Sequence, residues 1–199
     1  MLMVCDVETS DLPRKDLPRG DPGQPWITSA AAMLCQPDGT VVDHFHCRVR
    51  SDGRSVRPGA EAVHGISTRS AGRNGVSETT VLGLIAGFAD QATHIIGHGI
   101  AFDRGIIEDN LVRLNKSTRL FTRTGITFVC TMLASVPVCR LPNPNDFGTG
   151  GFKWPTLDEA CQIILGMAPR EGFHSAWDDV DRARRLFLEL RNRGIVEAQ

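Results

Sequence analysis

Short apolar runs, separated by polar breaks rich in proline and glycine, divide the chain into strand-like and helix-like stretches. LMVCDVE (2–8) reads as a buried strand closing on two acids. DLPRKDLPRGDPGQP (11–25) is too polar and broken for regular structure and predicts a loop. WITSAAAMLCQ (26–36) and TVVDHFHCRVR (40–50) have strand character and flank the turn signal Pro37-Asp38-Gly39, which predicts an antiparallel hairpin. Residues 51–75 read as a long loop with one short helical turn. VSETTVLGLIAGFADQA (76–92) predicts an amphipathic helix capped by Ser77. HIIGHG (94–99) is a strand ending in glycines, FDRGIIEDNLVRLN (102–115) a helix, and TFVCTMLASV (127–136) a strand passing into a helix. A second loop, RLPNPNDFGTGGFKWP (140–155), precedes the helix TLDEACQIILG (156–166) and the closing helix SAWDDVDRARRLFLELRNRG (175–194). Strands come first and helices then alternate with further strand, which predicts an α/β chain: one mixed sheet with helices packed on it, in a single domain over 1–199.

Composition narrows the class. The chain has 199 residues, 41% of them hydrophobic and 23% charged, enough to bury a core and unlike a disordered segment. Its apolar runs are too short to span a bilayer, and a strand begins almost at once with no basic leader, so a cytoplasmic location is expected. A formal net charge of −1 argues against tight nonspecific coating of nucleic acid. The six cysteines (Cys5, Cys35, Cys47, Cys130, Cys139, Cys161) contain no CxxC pair and read as reduced, mainly buried thiols. His44 and His46 alternate on a strand beside Cys47, but no second ligand cluster supports zinc there. FGTGGFKW lacks GK[ST], which excludes a P-loop.

Five residues carry candidate chemistry. Asp6 and Glu8 sit two apart on a strand, so both face one side with their bases roughly 6–7 Å apart, within reach of one cation. Acids are depleted from strands and costly to bury unpaired; a strand end emerging into solvent is the alternative. In the 102–115 helix the apolar stripe is Ile107, Leu111 and Leu114, with Ile106 at its margin. Asp103 lies on that stripe near the helix N-terminus, where an anion is also favoured as a cap. Glu108 and Asp109 fall away from it and read as solvated charges. SAWD has the form of a capping box, Ser175 the cap and Asp178 its partner. His174 and Asp179 then hold the two places of a hydrophobic staple, which brings them together five residues apart. Ala176, Val180, Ala183, Phe187 and Leu190 form the buried stripe, with Asp179 at its edge, while Asp181, Arg182, Arg185 and Glu189 face outward. A surface His–Asp contact is the alternative for that pair.

These positions together resemble the DEDDh family of 3′–5′ exonucleases, the DNA polymerase III epsilon type. DVETS (6–10) is similar to its first motif, HGIAFD (98–103) to its second and HSAWDD (174–179) to its third. AVHGIS (62–67) resembles a segment these enzymes place beside the terminal nucleotide. The resemblance implies a ribonuclease H-like fold, a mixed five-stranded sheet flanked by helices. It implies two divalent ions on Asp6, Glu8, Asp103 and Asp179, and hard carboxylate oxygens select Mg²⁺ or Mn²⁺. Two such ions stabilise the attacking and leaving oxygens of an in-line displacement. His174 becomes the general base, a role an imidazole suits near neutrality. By the same likeness Thr9, His64, Ile66, His98 and Phe102 line the substrate pocket, with core packing as the alternative for Ile66 and Phe102. The product is a nucleoside 5′-monophosphate.

The pattern departs from the family at Gly99, where Asn is usual, and in the loops 11–25 and 140–155, both longer than the family minimum. These bear on substrate preference rather than on the chemistry. The expected partner is a single-stranded or frayed 3′ end of DNA, favoured by AVHGIS and the first motif; an exoribonuclease uses the same five residues. A vestigial accessory module is disfavoured because no carboxylate is lost. A polymerase-docked proofreading subunit needs a docking segment, and the short stretch after the final helix favours a stand-alone enzyme.

Overall fold

The structure, a computed structural model, describes residues 1–144 and 151–197. Five strands form one mixed sheet: β1 (Leu2–Thr9), β2 (Ile27–Cys35), β3 (Val41–Arg48), β4 (His94–Gly97) and β5 (Thr127–Cys130), in spatial order β3-β2-β1-β4-β5. β1–β2 and β2–β3 are antiparallel, the second pair being the expected hairpin, while β1–β4 and β4–β5 are parallel. The helices are α1 (Pro58–His64), α2 (Thr68–Arg73), α3 (Glu78–Gln91), α4 (Ile100–Arg113), α5 (Thr131–Cys139), α6 (Leu157–Leu165) and α7 (Ala176–Asn192). Among the described residues no helix is long and apolar enough to cross a membrane.

Central β1 is covered on both faces, which explains its nearly unbroken apolar run. Met3, Cys5 and Val7 pack on one side with Val81 and Ile85 of α3 and Ile106 and Ile107 of α4. Leu2 and Val4 pack on the other with Val180, Phe187 and Leu190 of α7. Side chains alternate along a strand, so Asp6 and Glu8 continue the α7 face. Burial of Leu186, Phe187 and Leu190, all fully inaccessible, contributes roughly 2 kcal/mol each and fixes α7, hence Asp179, against the sheet. β4 spans four residues against eight in β1, and its pairing with β1 stops at Val4↔Ile96. Beyond that point the edge of β1 is open toward α4.

Four expectations change. Residues 51–75 hold two helices rather than one turn. Pro58 starts α1, Gly65 ends it at φ +70°, and the Ser67 hydroxyl caps α2 by accepting from the Ser70 amide. Ser175 is the α7 N-cap by backbone geometry, but its hydroxyl makes no capping bond, so there is no capping box. Asp178 instead accepts from Arg182 Nε at 2.9 Å. Arg182 is buried, not outward, because Asp158 of α6 packs 3.3 Å from it. Glu108 and Asp109 are buried as well: the 11–25 loop folds onto α4 and brings Arg19 to both, with Arg104 also on Glu108 at 2.8 Å. All six cysteines are free thiols, three buried and three half-buried. Of the expected 140–155 loop, residues 145–150 lie outside the described residues.

Candidate active site

The acids meet where β1 ends. Asp6 and Glu8 rise from β1, and Asp179 comes down from the first turns of α7; one carboxylate oxygen from each lies within 4.8 Å of the others. Asp103, in the first turn of α4 and buried, accepts from the Val7 amide at 3.1 Å. That bond ties α4 to the open edge of β1 and sets the fourth carboxylate beside the other three. His174 stands just before α7, its Nδ1 3.4 Å from Asp179 Oδ2 and its side chain half-exposed. Its amide donates to Val63 O at 2.9 Å, and the Phe173 ring lies over Gly65, so α1 anchors the segment that carries it.

Crowding of like charge in a dry place shapes the electrostatics. Burial first, and then Asp103, Asp179 and Glu8, push the Asp6 carboxyl well above its ordinary range. Glu8 is pushed up to about 7 by burial, then by Asp179 and Asp103. Asp103 is raised by burial, against the lowering effect of its bond from Val7. Glu8 Oε1 is buried without a hydrogen-bond partner. A hard divalent cation fits this donor set: it relieves the repulsion and satisfies the orphaned oxygen.

One cation of the chain already reaches the cluster. Arg170, on the loop before α7 and almost fully buried, pairs with Asp179 and lies 3.4 Å from Asp158 and 3.7 Å from Asp178. Sequence reasoning missed it, because the segment APREGF has no periodicity and no motif that marks a buried arginine.

Beside the acids lies a cavity of about 390 Å³ lined by residues that include Glu8, Thr9, Leu12, Val63, His64 and Phe102. Of the five expected pocket residues, Thr9, His64 and Phe102 stand here. The buried His64 donates from Nε2 to Thr9 O at 3.0 Å and accepts from the Ile66 amide at Nδ1, which fixes its tautomer; burial lowers its pKa. Ile66 and His98 are not in the lining. Ile66 packs in the core at 5% exposure. His98 donates from Nε2 to Pro155 O at 2.9 Å, with Nδ1 3.1 Å from Thr131 Oγ1, and so braces α5 against the segment before α6. Gly99, the N-cap of α4, has φ +90°, a left-handed conformation that glycine takes most readily and asparagine next.

No protein-family model matches the chain, and no curated protein matches it in sequence. Solved structures do. Escherichia coli exonuclease I in complex with a dT13 oligonucleotide aligns with a TM-score of 0.74 at 16% identity, over 96% of this chain and 41% of that one. Its zinc-bound complex with single-stranded DNA aligns at 0.71 and 16%, over 96% and 40%. Exonuclease X in complex with 5′ overhanging duplex DNA aligns at 0.60 and 17%, over 100% and 95%. The chain therefore spans about two-fifths of the exonuclease I chains and nearly all of exonuclease X. In architecture, then, the chain has the ribonuclease H-like fold of these exonucleases.

Proposed function

We propose that residues 1–199 form one exonuclease domain of the DEDDh family, which removes nucleotides from DNA 3′ ends and releases nucleoside 5′-monophosphates. The observation that carries this reading is the meeting of Asp6, Glu8 and Asp179 within 4.8 Å, with Asp103 and His174 alongside. DNA as substrate draws support from the neighbouring folds, solved with single-stranded oligonucleotides and with an overhanging duplex.

Asp6, Glu8, Asp103 and Asp179 would hold two divalent ions, Mg²⁺ or Mn²⁺. When bound, these supply charge stabilisation to the attacking and leaving oxygens of the phosphodiester. The chain's own residues do the rest. His174 takes the proton of the attacking water at Nε2, while Asp179 beside Nδ1 orients the ring. Phe102, 40% exposed at the cavity wall, offers a face on which any terminal base stacks. The His64–Thr9 bond fixes the backbone of Thr9 next to the acidic pair, where the terminal sugar would lie.

The test uses 5′-labelled single-stranded DNA and RNA, with and without a paired 3′ end, in Mg²⁺ or Mn²⁺. Stepwise shortening from the 3′ end is expected, fastest on DNA, and Asp6→Ala should abolish it without loss of fold. Internal cuts, shortening from the 5′ end, or full activity of Asp6→Ala would overturn the reading; preference for RNA would overturn the substrate assignment alone.

A further inference from the structure

The face of the sheet that carries the acids does not end at β2. Residues directly opposite each other in antiparallel strands share a face, and the register runs Glu8↔Ser29↔Arg48 and Asp6↔Ala31↔His46. Two inter-strand steps, about 10 Å, separate Glu8 from Arg48. α7 covers this face over β1 and β2, but edge strand β3 is left open, with His44, His46 and Arg48 all exposed. From α7, Trp177 reaches across to β3. Its ring lies 5.0 Å from that of His44 and stacks near-parallel on His46, at 6.5 Å and 17°. The rings border an open groove of about 420 Å³.

We infer that this row, Trp177, His44, His46 and Arg48, is a binding platform for single-stranded nucleic acid, holding the stretch that leads away from the acidic site. Three observations carry the inference. The exposed His44 and His46 rings, with the half-buried Trp177 ring beside them, present the flat aromatic groups that unpaired bases stack on, whatever their sequence. Arg48 has no carboxylate within ion-pair distance among the described residues, and Asp43, two positions from His44's neighbour Phe45, projects from the opposite face of β3. A guanidinium so placed matches a phosphate oxygen. Proximity is the third: the platform stands two strands from Glu8, and the buried Ser29 Oγ, 3.2 Å from His46 Nε2, holds the His46 ring at that distance.

The proposal rests on the nuclease reading for its direction but not for its binding. Equilibrium binding of a 5′-fluorescein 20-mer of DNA is measured by anisotropy in Ca²⁺, together with steady-state cleavage in Mg²⁺ of oligonucleotides from two to twenty residues. The wild type, Arg48→Glu and the double variant His44→Ala/His46→Ala are compared, and circular dichroism checks their folds. Each variant should bind the 20-mer about fivefold or more weakly, with a salt dependence for Arg48→Glu shallower by roughly one phosphate contact. KM of the wild type should fall as the substrate lengthens, and the variants should lose that gain while kcat on the 20-mer changes little. Equal binding by wild type and folded variants would overturn the platform and leave the nuclease standing. Binding that the variants lose, without any cleavage by the wild type, would support the platform and overturn the nuclease. Association of two copies, broken by the variants with DNA binding unchanged, would make this face a dimer interface and overturn the proposal.

Discussion

Replacing Glu8 by Gln asks what the acid cluster takes from folding. The folded chain holds the Glu8 carboxyl at about 7 against an ordinary value of 4.5, burial being the main cause and Asp179 and Asp103 the next. Between those two pH values the folded protein binds more protons than the unfolded chain, so stability falls as pH rises through the window. Above pH 7 the whole difference is present, about 3 kcal/mol. Glutamine keeps the size and cannot ionise. In chelator at pH 8 the Glu8→Gln protein should therefore be more stable by about 2–3 kcal/mol, which raises Tm by roughly 5–10 °C in a chain of this length. Below pH 4.5 the gap should close, and at pH 8 saturating Mg²⁺ should narrow it, because a cation offsets the repulsion in the wild type. Calorimetric scans across pH 4–8, with and without Mg²⁺, measure all three. A variant melting no higher than the wild type at pH 8, or a gap unchanged at pH 4, would show that ionised Glu8 carries no such cost.

Three further outcomes are expected. His174→Ala should lower kcat by about 10²–10⁴ with little change in KM; a pure KM defect in single-turnover and steady-state kinetics would remove it as the base. Gly65→Ala places a Cβ 2.7 Å from the Phe173 ring at φ +70°, which should cost roughly 1–3 kcal/mol and slow cleavage by shifting the His174 segment, as melting and kcat would show. Arg170→Ala takes from buried Asp179 its arginine partner and leaves it the half-exposed His174 ring, which should destabilise the chelated protein by about 3 kcal/mol. Mg²⁺ should restore more of that variant's Tm than of the wild type's.

Sequence reasoning reached furthest where a local rule governs. The period-2 spacing of Asp6 and Glu8, the apolar stripe under Asp103 and the staple spacing of His174 and Asp179 each depend on a few neighbours, and the structure gathers these side chains at one end of the sheet. The sheet order adds what spacing cannot contain, because β1 pairs with β4 across ninety residues of chain. The misread charges share one cause. Glu108 and Asp109 are buried by Arg19, almost ninety positions away, and Arg182 by Asp158 of another helix. Burial created by a charged partner on another segment has no periodic signature. α1 and α2 escaped because their brevity and their Gly, Ser and Arg content hide the period, although Pro58, Gly65 and Ser67 are the boundary residues such helices need.

The shortness of β4 has a consequence for how this molecule tolerates change. β1 outruns its parallel neighbour by several residues, and Gly97 already brings β4 so near that an added Cβ would stand 3.1 Å from Cys5 O. An insertion that lengthened β4 by two or three residues would zip the ladder closed past Cys5. It would hand the Val7 amide to a backbone carbonyl and evict Asp103 from its seat. Such a chain would carry a longer and better-paired sheet and no crevice at its end. Length variation between residues 97 and 100 would thus trade the open edge that seats Asp103 for a longer ladder.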